Sequence, residues 1–216
     1  RLGSTVTTDG LITNPINSNV SNLDAGDSVM MAVVLENTGR YDAYDIQAKD
    51  TLPVGMNYVE DSLCVTNGAG VELPYTTLTG GFFNDGIELV DNGTGALLRG
   101  KDSNDQNISD GSNIAVITYL VTMDAIVEPG ETYTNTSTLF NFAGTNDGPD
   151  HTTTDFEDYA EVSVFEPTVS KALTGTNRDF TTGNSVTIGE IIEYTVTVNL
   201  QRSEERRVVK ECRSRC

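Results

Sequence analysis

From Ser28 to Glu36 the residues Val29, Met31, Val33 and Leu35 fall on one face of an extended chain. The pattern returns at Ile192, Tyr194, Val196, Val198 and Leu200, with Glu193, Thr195, Thr197 and Asn199 opposite. A period of two held over nine residues predicts a half-buried strand. Further runs rich in Val, Ile, Thr and Tyr predict strands at Ala43–Lys49, Asn57–Thr66, Gly86–Val90, Ile114–Met123, Thr132–Phe142 and Tyr159–Phe165. Turn pairs separate them: Asn67-Gly68, Asp85-Gly86, Asn92-Gly93, Asp110-Gly111 and Asp147-Gly148. Little reads as a long amphipathic helix. Many short strands between such turns predict an all-β sandwich.

The two alternating strands are also counterparts. Gly189-Glu190 lies 163 positions after Gly26-Asp27, and the same shift carries Val29, Met31, Val33 and Leu35 onto Ile192, Tyr194, Val196 and Val198. Keeping both the turn and the facing marks an internal repeat. The boundary falls at Phe165-Glu166-Pro167. The expected organisation is an Ig-like sandwich over residues 1–165 and the truncated start of a second repeat over 166–201.

Charge narrows the function. The 216 residues carry 13 basic and 32 acidic side chains, a formal net charge of −19. That excludes nucleic-acid binding, which needs clustered Lys and Arg against phosphate, and fits a solvated, self-repelling surface. No run of 18 apolar residues predicts a membrane span. The chain opens on Arg1 with no charged-then-apolar leader, so it is expected to begin inside a longer protein or after processing. Residues 202–216, RSEERRVVKECRSRC, stand apart from this picture. They hold six of the basic residues, three of the acidic ones and two of the three cysteines. The string resembles an in-frame translated sequencing adapter, departing from it at Val209, and is set aside as adapter-derived; a polybasic tail is the alternative. What remains holds 7 basic and 29 acidic residues and one cysteine, Cys64, too few for a disulfide framework or a zinc site. Within the apolar run Tyr58–Val65, Cys64 is expected in the core.

Several motifs occur in order: Gly26-Asp27-Ser28-Val29 before the alternating strand, Glu36-Asn37-Thr38-Gly39, Ala43-Tyr44-Asp45-Ile46, Asp50-Thr51-Leu52-Pro53-Val54-Gly55-Met56-Asn57-Tyr58-Val59, and Val127-Glu128-Pro129-Gly130-Glu131-Thr132-Tyr133-Thr134-Asn135-Thr136. This set resembles the conserved Ig-like repeat of bacterial and archaeal surface proteins, long catalogued as of unknown function and related to fimbrial isopeptide-forming domains. Thr187-Ile188-Gly189-Glu190 resembles the opening of a further copy. The resemblance implies a secreted, tandemly repeated, surface-attached protein and no particular ligand. Physically, Asn37-Thr38-Gly39 reads as a turn using positive φ, Pro53 and Gly55 stop a strand, and Pro129-Gly130 turns into the next one.

Candidate chemistry is sparse. Some fimbrial relatives join a first-strand Lys to a late-strand Asn with a buried acid as catalyst. Asn135 is such a late-strand amide, but no Lys precedes Lys49, so Asn135 is expected to bond backbone at a strand end and residues 1–165 to carry no crosslink. In the second repeat Lys171 lies in the first strand and Glu193 is the candidate acid, with the partner Asn missing; an exposed Lys171 is the plainer reading. Asp102, Asn104, Asp105, Asn107 and Asp110 crowd hard oxygen ligands suited to calcium, without the order of an EF-hand. Asp147, Asp150, Asp155, Glu157 and Asp158 form a second acidic cluster; solvated turns are the alternative for both. The single histidine, His151, sits in a Thr- and Asp-rich loop and no Gly-x-Ser-x-Gly elbow exists, so no enzyme is expected. The sequence therefore reads as a structural stalk or adhesion repeat at the cell surface. Its partners would be neighbouring repeats and host, glycan or cell contacts, with no cofactor beyond possible calcium. The alternative is a carbohydrate- or calcium-binding module using an insertion at 67–112.

Overall fold

The computed structural model describes residues 5–6, 12–13, 19–90, 97–100, 110–179 and 185–200. Among these residues every regular element is a strand: β1 (Thr5–Val6), β2 (Ile12–Thr13), β3 (Asn19–Leu23), β4 (Ser28–Glu36), β5 (Tyr44–Thr51), β6 (Met56–Tyr58), β7 (Cys64–Asn67), β8 (Tyr75–Thr77), β9 (Ile87–Leu89), β10 (Ile114–Met123), β11 (Thr132–Ala143), β12 (Phe156–Val164), β13 (Thr168–Thr176) and β14 (Ile192–Asn199). The chain divides into two compact units, Arg1–Val164 and Phe165–Cys216.

The first unit is a two-sheet sandwich. One sheet runs β4–β10–β6, with β7 pairing β10 further along; the other runs β3–β12–β11–β5–β9–β8. Strand β10 supplies the centre of the core. Its Ala115, Ile117, Tyr119, Val121 and Met123 are buried, and they cluster with Ile46, Ala48, Ile87, Leu89, Val162 and Val164 from the facing sheet. Burying each large apolar side chain of this kind contributes about 1.5–3 kcal/mol. Val29 and Met31 of β4 are buried as its alternation predicts, while Val33 and Leu35 are only half-buried.

Strands β4 and β10 occupy the predicted residues. The predicted run Asn57–Thr66 is instead two strands. Asp61 takes a positive φ of 60°, and the Ser62 hydroxyl donates to the Val59 carbonyl at 2.6 Å and accepts the Leu120 N–H at 3.0 Å, which breaks the ladder. Cys64 is exposed, a correction to its expected burial: alternation along β7 gives the inward position to Val65, which is buried. The Asn37-Thr38-Gly39 turn uses no positive φ. Asn37 builds it by side chain, accepting Gly39 N–H at 2.9 Å and donating to Tyr41 O at 2.8 Å and Leu98 O at 3.0 Å. The described parts of the 67–112 segment serve the scaffold. They form β8 and β9, extending the second sheet, and they bury Phe82, Ile87, Leu89 and Leu98.

The second unit contains the antiparallel hairpin β13–β14. Its register pairs Val169 with Val198, Lys171 with Val196 and Leu173 with Tyr194, so these side chains share a face. That face is exposed, at 69% for Val169 and 57% for Val196.

The turns before β4 and β14 have the same construction. Gly26 and Gly189 take φ of 88° and 83°. In the first, Asp27 N–H donates to Asp24 O at 3.1 Å and the Asp27 carboxylate accepts Asp24 N–H at 2.7 Å. In the second, Glu190 N–H donates to Thr187 O at 3.1 Å and the Glu190 carboxylate accepts Thr187 N–H at 2.8 Å.

Candidate functional site

A cluster of buried polar side chains is built on β5, β10 and β11. Along β5 the inward positions are Ile46, Ala48 and Asp50, all buried, so an acid stands where alternation calls for an apolar residue. Opposite, β11 brings Asn135 and Ser137 onto the same carboxylate. The Ser137 hydroxyl donates to Asp50 Oδ2 at 2.6 Å and the Asn135 amide donates to it at 3.2 Å. The Asn135 amide also donates to the Tyr119 hydroxyl at 3.0 Å. Tyr119 comes from the facing sheet, where its ring packs edge-on with Phe82 and Phe83 at 5.6 and 5.2 Å between centroids. The cluster thus joins the two sheets through side-chain hydrogen bonds.

Its electrostatics follow from burial. Desolvation raises the Asp50 carboxyl above the usual carboxylate range, opposed by the hydrogen bonds from Ser137, Tyr119 and Asn135. Burial, with the Asp50 charge beside it, also pushes the Tyr119 hydroxyl far up. Asp50 Oδ1 and Asn135 Oδ1 find no hydrogen-bond partner among the described residues. Such a cluster can hold a proton on a buried carboxyl and orient an amide. Lys49, the only lysine among the described residues of this unit, lies elsewhere, its Nζ over the Phe140 ring at 5.6 Å. Sequence reasoning expected Asn135 to bond backbone at a strand end; it sits buried within β11 and bonds two side chains. It missed Asp50, Ser137 and Tyr119, although an Asp following Ile46 and Ala48 at a period of two was a readable signal.

The other candidates are placed apart. Lys171 Nζ lies over the Tyr194 ring at 4.1 Å from its centroid. Glu193 precedes Tyr194 and stands on the opposite face of the hairpin, opposite Gly175, so the structure does not bring Lys171 and Glu193 together. Asp102, Asn104, Asp105 and Asn107 lie outside the described residues. Asp110 is described, and it caps its own turn. Its carboxylate accepts Ser112 N–H at 2.9 Å and the Ser112 hydroxyl at 2.6 Å, which lowers its pKa, and Arg99 lies 4.0 Å away. In the second acidic cluster, Asp150 accepts from Thr152 N–H at 2.7 Å and Glu157 from the Tyr159 hydroxyl at 2.7 Å. Among the described residues no three His, Cys, Asp or Glu side chains converge as metal ligands.

Beside the polar cluster a cavity of about 910 Å³ opens between β4 and the β11–β12 pair. Met31, Val33, Leu35, Leu139, Phe142 and Tyr159 form its apolar lining, and Asn135 and Ser137 reach it.

No protein-family model and no curated protein sequence matches the chain. Solved structures do. The pilus backbone RrgB of Streptococcus pneumoniae aligns at 20% identity and a TM-score of 0.45, over 69% of this chain and 53% of that one. ACE19, the collagen-binding subdomain of the Enterococcus faecalis surface protein ACE, aligns at 12% and 0.36, over 67% and 93%. The T6 backbone pilin of Streptococcus pyogenes serotype M6 aligns at 14% and 0.35, over 73% and 39%. The chain spans about half the length of the RrgB structure it matches. At these identities and scores, function has to be argued from the chain's own residues.

Proposed function

We propose that residues 1–165 form a structural repeat of an extracellular cell-surface protein, a stalk or adhesion module that performs no catalysis. The observation that carries this reading is the turn made twice. Gly26 and Gly189, with the acid that follows each, close the same hydrogen-bonded loop ahead of the same alternating strand, 163 positions apart. Repeating units strung in one chain are how an extended, surface-exposed protein gains length. The high negative charge fits a solvated exterior.

The sandwich also suits traction. Its first long-range pairing joins β3 to β12 in parallel, with Val20 opposite Val162 and Leu23 opposite Val164. Parallel neighbours at entry and exit place the incoming and outgoing chain at opposite ends of that ladder. A pull along the chain therefore shears the bonds together rather than unzipping them one by one.

Force spectroscopy on concatemers of residues 1–165 tests the reading. We expect one cooperative unfolding event per copy, and weaker events when the pull is applied across β4 and β8 instead. Extension without a resolvable peak in the end-to-end geometry overturns it. Saturable glycan binding by residues 1–165 would move the assignment to a ligand-binding module.

A further inference from the structure

The chain carries the tripeptide Asn-x-Ser/Thr four times, as Asn19-Val20-Ser21, Asn92-Gly93-Thr94, Asn107-Ile108-Ser109 and Asn135-Thr136-Ser137. At the surface of a secreted protein this pattern is an acceptor for an N-linked oligosaccharide. The second and third copies lie outside the described residues. The first and fourth sit on strands, β3 and β11. Residues two apart on a strand share a face, so the acceptor amide and its hydroxyl are either presented together or buried together.

The fold treats the two in opposite ways. On β11 the pair faces inward. Asn135 is 3% exposed, its amide nitrogen donates to both Asp50 and Tyr119, and the Ser137 hydroxyl donates to the same carboxylate. An amide nitrogen has two hydrogens, so replacing one by a sugar would break a core bond and drive a bulky polar group between the sheets. On β3 the pair faces out. Asn19 and Ser21 are exposed, while Val20 between them is half-buried against the core. The Asn19 carbonyl oxygen accepts the Glu161 N–H at 3.2 Å, and its amide nitrogen donates to Glu161 Oε2 at 3.4 Å. A glycosylated amide keeps its oxygen and one N–H, so both bonds survive the substitution and the second hydrogen is the one exchanged.

We propose that Asn19 is an attachment site for an N-linked oligosaccharide and that Asn135, with the same motif, is closed to one. In the transfer, Asn19 Nδ2 bonds to the anomeric carbon of a sugar carried on a lipid diphosphate. The bond from that carbon to the diphosphate oxygen breaks, the lipid diphosphate departs, and the amide gives up one proton. The glycan then stands beside Glu161 on the outer side of the β3–β12 ladder, adding hydrated bulk there. The proposal rests on the extracellular reading above, because this modification belongs to secreted chains.

The test gives the folded full chain, carrying Asn92→Gln and Asn107→Gln, to a purified oligosaccharyltransferase that reads Asn-x-Ser/Thr alone. A lipid-diphosphate-linked oligosaccharide is the donor, and peptide mass spectrometry locates the product. Peptides of residues 16–24 and 131–140 run in parallel as unfolded references. We expect both peptides to be modified. In the chain, Asn19 should react at least about a hundredfold faster than Asn135, which is reached only by opening the core. Asn19→Gln and Ser21→Ala should each abolish the product at position 19. A modified 16–24 peptide with no product at Asn19 of the chain overturns the proposal, and so does a 16–24 peptide left unmodified while 131–140 reacts. Equal rates at Asn19 and Asn135 in the folded chain overturn it as well, since the two faces then make no difference. None of these failures touches the surface-repeat reading, which the force measurement decides separately.

Discussion

Asp50 is a carboxyl placed where the strand pattern expects a side chain such as Ile46 or Ala48, and its neighbours set what that costs. Its pKa is raised by burial. Below the ordinary value of 3.8 the group is neutral in folded and unfolded chains alike. Above it the unfolded chain loses the proton first, so the folded state binds more protons and stability falls as pH rises towards the raised value. Asp50→Asn removes that falling limb, and the variant should gain on the parent in urea titrations as pH is taken from 4 to 7. No change in the difference would show Asp50 to be ionised like an exposed acid. Asn135→Ala withdraws one donor from a carboxylate and from Tyr119 and should cost about 1.5–3 kcal/mol at neutral pH. Among the described residues no lysine stands beside this acid and amide, and residues 1–165 should show their full mass, without the loss of about 17 Da that an amide crosslink brings. The inward place of Asp50 was readable from Ile46 and Ala48 before it, but its meeting with Tyr119 was not, because the partners lie on other strands and pattern alone does not say which strands face.

At the scale of elements, β4 and β10 were legible to the residue because each is long, apolar and bounded by turns. Of the short strands, β9 lies inside the predicted run Gly86–Val90, whereas β3 and β8 were not read: they are held by their neighbours in the second sheet rather than by a periodic pattern of their own, and the Ser62 bonds that split β6 from β7 are tertiary. Turn glycines were legible as turns but not in their demands. Gly81 and Gly86 both take positive φ, at 80° and 101°. A Cβ at Gly81 would meet nothing within 4 Å, whereas one at Gly86 would lie 2.6 Å from the Ala48 carbonyl and 2.9 Å from the Phe140 ring. Gly81→Ala should therefore cost only the left-handed backbone term, about 1–2 kcal/mol. Gly86→Ala adds displacement of β5, which overpacking places at a further 1–3 kcal/mol. Urea midpoints of the two variants decide this, and equal losses would mean that the β5–β9 contact yields freely.

At the scale of the whole chain, the two units differ in what their strands have to pack against. In the first, the apolar faces of both sheets close on one core, and Ile117, Tyr119 and Val121 are at most 1% exposed. In the second, the hairpin β13–β14 carries Val169, Leu173, Tyr194, Val196 and Val198 on one face, each at least 37% exposed. A sandwich strand is stabilised by burial of that face against an opposing sheet, and among the described residues of this unit there is none. A two-stranded hairpin in water is at best marginally stable. Its backbone should open often and locally, far below the free energy needed to open the sandwich. Trypsin cuts after Lys and Arg, and among the described residues two of its sites lie within strands, Lys49 in β5 and Lys171 in β13. Of these two, Lys171 should be cleaved first, while the bond after Lys49 stays intact. The cation–π contact of Lys171 with Tyr194 slows this only slightly, since an exposed pair of that kind contributes about 0.5–1 kcal/mol. Timed digestion with mass spectrometry reads the order of cuts. Cleavage at Lys49 before Lys171 would mean that the hairpin is the more stable unit and that the sandwich core described above does not hold.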